Sequence, residues 1–510
     1  MTEAKKLEKH VANIVKIIFI AIILFLFFIS IFNNSFVNKK EYTEYKNDYF
    51  IVHIVSIASA SVLAAFIKNK HLKISKKTLI IFTIIWIVLC VLWVSMTQFK
   101  PRADQKYTLN SALQMKEGNY SSLNKGGYLY MNPHQYGLTL YFYMLSFIFN
   151  ENTFLAVQIL NILALLIGFY SMYKIVKLFY DDENISRYTM LGLLLYVPIA
   201  MYITFIYGNI IGFTCSTLAI MFEVYYLKNE KKRNIAGMLI FAALAIAFKS
   251  NYLICLIAMI MLLMLESFFR KKIKYIFPVI IICLSYLLSL YGVRYAMKTI
   301  TKIDANEGIP NIAYVAMGMQ EGHMAPGWYN EYNRKVYRKS KFDNEVATEK
   351  SKENIKERIE VFKKDPKYAL EFYYKKTASQ WNNPTFQSIW VNQNRKAGVK
   401  KNRVVNSILK NNKMGKALVE YMNILQSLIL FGALMYFILN YKQIKLIELI
   451  FPIVFIGGFL FHIIWEAKCQ YTITYFILLI PYAVVGYKII GVKLTKLYNT
   501  KIKKVKYLES

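Results

Sequence analysis

Apolar runs of about 17 to 22 residues recur from one end of the chain to the other, separated by short polar or basic turns. A run of that length crosses the hydrocarbon core of a bilayer as a single helix. The pattern therefore predicts an all-α polytopic membrane protein with about twelve transmembrane helices. They fall near residues 12–32, 50–67, 78–98, 154–177, 188–206, 210–227, 234–248, 252–269, 275–295, 416–440, 446–464 and 471–491. The first run follows the basic flank "MTEAKKLEKH". It is too long for a signal peptide and no small-x-small cleavage site follows, so it is expected to stay as a span.

Two stretches interrupt this rhythm. "YGLTLYFYMLSFIF", residues 136–149, is apolar but short for a span, and counting it as one would move the basic turn "KNEKKR" (228–233) to the outer side. It is expected to be a re-entrant or interfacial helix inside one long outer segment, 99–153. Residues 296–415 have the composition of soluble protein and include the amphipathic stretch "NEVATEKSKENIKERIEVFKKDPKYALEFYYKKTASQW". They predict a mostly helical extracytoplasmic loop domain. The chain then divides into residues 1–77 (two extra N-terminal helices and a cytoplasmic turn), a membrane module 78–295, the loop domain 296–415, C-terminal helices 416–492 and a basic cytoplasmic tail 493–510.

Charge sets the orientation. The chain carries 64 Lys and Arg against 30 Asp and Glu, a formal net charge of +34. In a membrane protein such an excess sets topology and meets anionic headgroups, which makes nucleic acid the weaker reading. The turns "KNKHLKISKK" (68–77), "KNEKKR", "RKKIK" (270–274) and "KLTKLYNTKIKKVK" (493–506) are predicted to be cytoplasmic. The five cysteines, Cys90, Cys215, Cys255, Cys283 and Cys469, lie in or beside apolar runs at wide spacings. They offer neither a disulfide framework nor a CxxC metal site, and read as small buried apolar residues.

Transporters and proton relays usually bury ionisable groups near the midplane, and these spans mostly lack them. Polar residues gather instead at the predicted outer edge: Arg102 and Asp104, "YMNPHQYG" (130–137), "YGN" (207–209), "FKSN" (248–251), "MQEGHMAPGWYNEY" (319–332) and "HIIWEAKCQY" (462–471). Each has a plain reading beside a functional one. Asp104 is a helix cap or a partner of Arg102, or a catalytic carboxylate with Glu466 as its competitor. Lys249 and Lys468 are snorkelling cations or phosphate ligands. His134 is a structural hydrogen-bonder or a substrate contact, and Tyr130, Gln135, Tyr207, Asn209 and Tyr471 are possible sugar or acceptor contacts. His323 and Glu321 lack a third ligand, so no metal is expected. Trp328 and Tyr329 read as interfacial belt aromatics, or else as a sugar-stacking platform.

The order of a span, a long outer loop opening on Asp104, Gln105 and Tyr107, and a short helix introduced by "NPHQYG" resembles the glycosyltransferase C superfold over residues 78–295. Protein O-mannosyltransferases and the aminoarabinose transferases of lipid A belong to that group. The resemblance implies an extracytoplasmic active site in the cell membrane. There, Asp104 would act as general base on an acceptor hydroxyl that displaces lipid phosphate with inversion, and Lys249, Lys468 and Arg102 would hold the phosphate. It implies a polyprenyl-phosphate sugar donor, a glycan, lipid or protein acceptor, and no cofactor. The rival readings are a polysaccharide polymerase or ligase and a lipid-oligosaccharide flippase or transporter.

Overall fold

The computed structural model describes residues 3–97, 100–101, 103–304, 306–393, 402–410 and 412–508. Arg102, expected at the site, lies outside the described residues. The first part of the chain forms α1 (Glu3–Phe32), a hairpin of β1 (Asn33–Val37) and β2 (Thr43–Asn47), α2 (Phe50–Asn69), α3 (Lys76–Thr97), α4 (Ala103–Lys116), α5 (Tyr128–Met131) and α6 (Tyr136–Phe149). The membrane module continues through α7 (Thr153–Tyr180), α8 (Glu183–Leu195), α9 (Val197–Met201), α10 (Asn209–Asn229), α11 (Arg233–Phe248), α12 (Leu253–Arg270), α13 (Ile276–Leu287) and α14 (Val293–Thr301). A helical loop domain follows: α15 (Asn311–Gly318), α16 (Tyr332–Lys339), α17 (Asn344–Lys364), α18 (Pro366–Trp381), α19 (Ser388–Asn392) and α20 (Arg403–Leu409). The chain then re-enters the bundle as α21 (Lys413–Leu439), α22 (Ile450–Ile464), α23 (Cys469–Phe476) and α24 (Ile480–Leu508).

The protein is an all-α polytopic membrane protein. Among the described residues, 10 helices are long and apolar enough to cross a bilayer, and α8 with α9 makes an eleventh candidate bent by 51°. Pro198 explains the break: it has no N–H to continue the ladder, and its ring clashes with the carbonyl four residues back, so the helix restarts after Tyr196. Reaching the expected count of about twelve requires α11 as well, a shorter apolar helix.

The short apolar stretch 136–149 forms a helix of its own, separated from α7 by a turn. Asn150 adopts φ 48°, which ends α6, and Leu138 and Phe142 then pack against Val157 of α7 and against Ile206. Alongside, Lys116 at the end of α4 donates to the Ser146 carbonyl at 3.0 Å. Thus α6 lies beside the start of α7, and its other face presents Met144, Phe147 and Ile148 outward.

Residues 1–77 are not an appendage. Phe19 of α1 is fully buried and meets Phe437 of α21 with ring centroids 4.5 Å apart, inside the main hydrophobic core. The hairpin between α1 and α2 is unexpected from the sequence and is tied to the loop domain: Ser35 donates its backbone N–H to Asn382 at 3.0 Å and Thr43 to Met324 at 2.8 Å. The amphipathic stretch splits into α17 and α18 at Asp365, whose carboxylate accepts the Tyr368 N–H at 2.9 Å ahead of Pro366 in the first helical turn. One cysteine departs from expectation. Cys283 is exposed on α13, while the other four are buried and free.

Candidate active site

Seven segments far apart in sequence meet at one end of the bundle. Five are the ends of membrane helices or turns beside them: Asp104 in the first turn of α4, His134 and Gln135 before α6, the Tyr207–Asn209 turn, Lys249 after α11, and Glu466 to Tyr471 running from the turn after α22 into α23. The other two are the α1–α2 hairpin and the loop domain.

The turn at Gly208 shows how the backbone builds the site. Gly208 has φ +77°, and a Cβ there would lie 2.4 Å from the Phe248 carbonyl oxygen. Only glycine accommodates both the left-handed backbone and that approach. The result brings Lys249, just past the end of α11, against the turn. Its ammonium donates to Asn209 Oδ1 at 3.0 Å and to the Tyr207 carbonyl at 3.3 Å, and lies 4.3 Å from the Tyr207 ring centre. Asn209 in turn donates to the Gln470 carbonyl at 3.1 Å, and Gln135 donates to the Tyr207 hydroxyl at 3.0 Å.

Among the described residues, Lys249 has no close ion pair. Burial lowers its pKa to about 7, against the opposing pull of Asp104 and Glu466. Glu466 shows the complementary effect: it is buried, and burial raises its carboxyl to about 7 despite Lys468. Nearby Lys468 pairs with Glu41 of the hairpin at 2.8 Å, both side chains being mostly buried. Burial disfavours its charge, but Glu41 and Glu466 outweigh that and raise its pKa.

Asp104 pairs with Arg334 of α16 at 3.2 Å, with its side chain 42% exposed. It is therefore the accessible carboxylate of the two. Aromatic rings enclose the group. Arg334 and Lys468 each lie 5.8 Å from the Tyr329 ring centre. Asp104 acts electrostatically on Tyr128, Tyr207 and Tyr314, and burial is the main cause that raises all three phenols.

A second layer positions the Glu466 segment. Lys376 of α18 is fully buried and donates to the carbonyls of Gly318 at 2.5 Å and Ile463 at 2.8 Å, which fixes the backbone leading into Glu466. Burial lowers its pKa to about 7. His462 is also fully buried, stacked on Tyr471 at 5.8 Å. Tyr471 reaches toward Glu466 at 3.5 Å, at the limit of a hydrogen bond.

Asp104, His134, Gln135, Tyr207, Asn209, Lys249, Glu466, Lys468 and Tyr471 are thus brought together. Tyr130 is placed differently: it packs against Phe342 in the loop domain, ring centroids 5.9 Å apart. Trp328 is neither a belt aromatic nor a platform, being fully buried with its indole N–H on Ser379 Oγ at 2.8 Å. Glu321 accepts from Tyr368 at 2.7 Å, while His323 faces Tyr42. Arg334, Glu41 and Lys376 were not visible as site residues in the sequence. Only Arg334 had a signal, lying two residues beyond the polar stretch 319–332.

Fold and site together define an integral membrane protein whose helical bundle carries a cluster of acids, cations and aromatics at one end. The chain belongs to the family described as conserved hypothetical integral membrane protein, whose model matches residues 7–488. No curated protein and no solved structure matches it.

Proposed function

We propose that the protein is an integral membrane glycosyltransferase, which moves a sugar from a polyprenyl-phosphate carrier to an acceptor hydroxyl on the extracytoplasmic face. The observation that carries this reading is the meeting of an accessible carboxylate, Asp104, with Lys249, Lys468 and Arg334 at the end of the bundle. A polyprenyl phosphate holds its scissile bond at headgroup height. A base and phosphate-binding cations are needed at that height, and these residues supply both.

In the proposed reaction the acceptor O–H gives its proton to Asp104 while its oxygen attacks the anomeric carbon. The bond from that carbon to the phosphate oxygen breaks, polyprenyl phosphate departs, and the configuration inverts. Lys249 and Lys468 stabilise the leaving phosphate. Arg334 is paired with Asp104 at 3.2 Å. A donor phosphate that draws the guanidinium toward itself relieves that pairing when substrate is present. The acceptor is a wall polymer, glycolipid or protein, and the tyrosines around the cluster supply sugar-stacking surface.

Arg334 also favours one rival, a polysaccharide polymerase or ligase, since such enzymes rely on arginines of an outer loop. A synthetic short-chain polyprenyl-phosphate monosaccharide separates the readings. Release of polyprenyl phosphate from it by the purified protein supports the proposal. Reaction only with a diphosphate-linked oligosaccharide supports the polymerase or ligase, and transbilayer movement without bond cleavage supports a transporter.

A further inference from the structure

At the end of the bundle opposite the charged cluster, α2, α8, α21 and α24 line a half-open slot of about 410 Å³. Its wall along α24 runs from Lys488 through Val484 and Ala483 to Ile480, a rise of about 12 Å. Leu425, Leu428 and Ile429 of α21 extend the apolar surface, and Gly192 of α8 lets that helix approach α24, since a Cβ there would lie 3.1 Å from Ile480. The other end is basic. Lys68, His71 and Lys73, from the end of α2 and the turn after it, are exposed on the rim. Lys488 joins them, its ammonium 2.7 Å from Asp182. The turn itself is pinned in place, because Arg187 donates to the Ile74 carbonyl at 2.8 Å and Ile74 donates its N–H to Asn184 at 3.3 Å.

We propose that this slot binds an anionic phospholipid, one acyl chain along the apolar wall and its phosphate headgroup against Lys68, His71 and Lys73. Two complementary features select that occupant. The apolar wall excludes a free phosphorylated metabolite, which has nothing to bury there, and the basic rim discriminates against zwitterionic headgroups. The lipid comes from the leaflet opposite the charged cluster, so the site is separate from the one assigned to the sugar donor. Its occupancy braces α2 and α8 against α21 and α24.

The test is native mass spectrometry of the full-length protein released from nanodiscs holding equal phosphatidylglycerol and phosphatidylcholine of the same chains. Wild-type protein should retain phosphatidylglycerol in preference, by about fivefold per contributing lysine. The exposed double substitution Lys68→Glu and Lys73→Glu should abolish the preference, and Val484→Trp, which fills the slot, should reduce retention of phosphatidylglycerol. Excess glycerol phosphate should displace nothing. Equal retention of both lipids by wild type, or an unchanged preference after charge reversal, would overturn the proposal and leave only annular lipid. Displacement by glycerol phosphate would also overturn it, in favour of a free-phosphate site.

Discussion

Glu466 and Lys249 are opposite charges that burial pushes toward the same pH, and this gives the fold a two-sided dependence on protons. The folded protein holds the Glu466 proton up to about pH 7, whereas the unfolded chain releases it near the ordinary 4.5. Its stabilising contribution is complete below 4.5 and is lost as pH rises through 7. Lys249 runs the other way: its contribution is present above the ordinary 10.5 and is lost as pH falls through about 7. Thermal unfolding of Glu466→Gln should therefore decline less than wild type between pH 5 and 7. Lys249→Met should rise less than wild type between pH 7 and 10, and slopes of the opposite sign contradict the burial described. The same lysines have a binding consequence. If each contacts the donor phosphate, Lys249→Ala and Lys468→Ala should each weaken donor binding by roughly 1.5–3 kcal/mol, with Arg at either position restoring part of the loss. Unchanged binding in a titration with a fluorescent polyprenyl-phosphate sugar reduces them to interfacial cations.

The connections between elements deliver these side chains, and Gly208 is the tightest of them. Gly208→Ala combines a left-handed backbone with a clash 2.4 Å from Phe248, so it should cost well over the roughly 1 kcal/mol of αL strain alone and disturb Lys249. Gly118→Ala is the control, with φ +75° and nothing within 4 Å of the added Cβ. Thermal unfolding of the two variants should rank Gly208→Ala clearly lower, and equal losses would mean the turn is slack. Much at this scale was legible beforehand. The shortness of α6 was legible from its apolar run, and the helical character of 344–381 from amphipathic spacing, although its split into α17 and α18 at Asp365 was not. The β1–β2 hairpin was not, because "NNSFV" and "TEYKN" lack a strong strand signal and their pairing is completed by contacts to Met324 and Asn382. The burial of Trp328 was equally hidden, since a Trp beside Tyr in a polar loop gives no sign of a partner such as Ser379.

Over the whole molecule, the short basic turns and the charged cluster occupy opposite ends, and the charge rule predicts that the cluster lies outside. In a cysteine-free background, an impermeant thiol reagent applied to intact cells should label Lys341→Cys and spare Lys231→Cys. The reverse pattern would invert the orientation. Residues beside predicted spans, such as Asp104, Lys249 and Glu466, were legible as candidates because charge is rare there. Arg334 and Glu41 were not: they reach Asp104 and Lys468 across sequence separations of 230 and 427 residues, through the folding of the loop domain and hairpin onto the bundle. The central claim is that this assembled cluster uses Asp104 as the base in sugar transfer, and Asp104→Asn tests it most directly. Asn keeps the shape and can still accept from Arg334, but it takes no proton. In an assay of transfer from a polyprenyl-phosphate sugar, with expression and donor binding measured alongside, turnover should fall about a hundredfold or more while donor binding persists. Near-normal turnover in Asp104→Asn would contradict the account and move the base to Glu466.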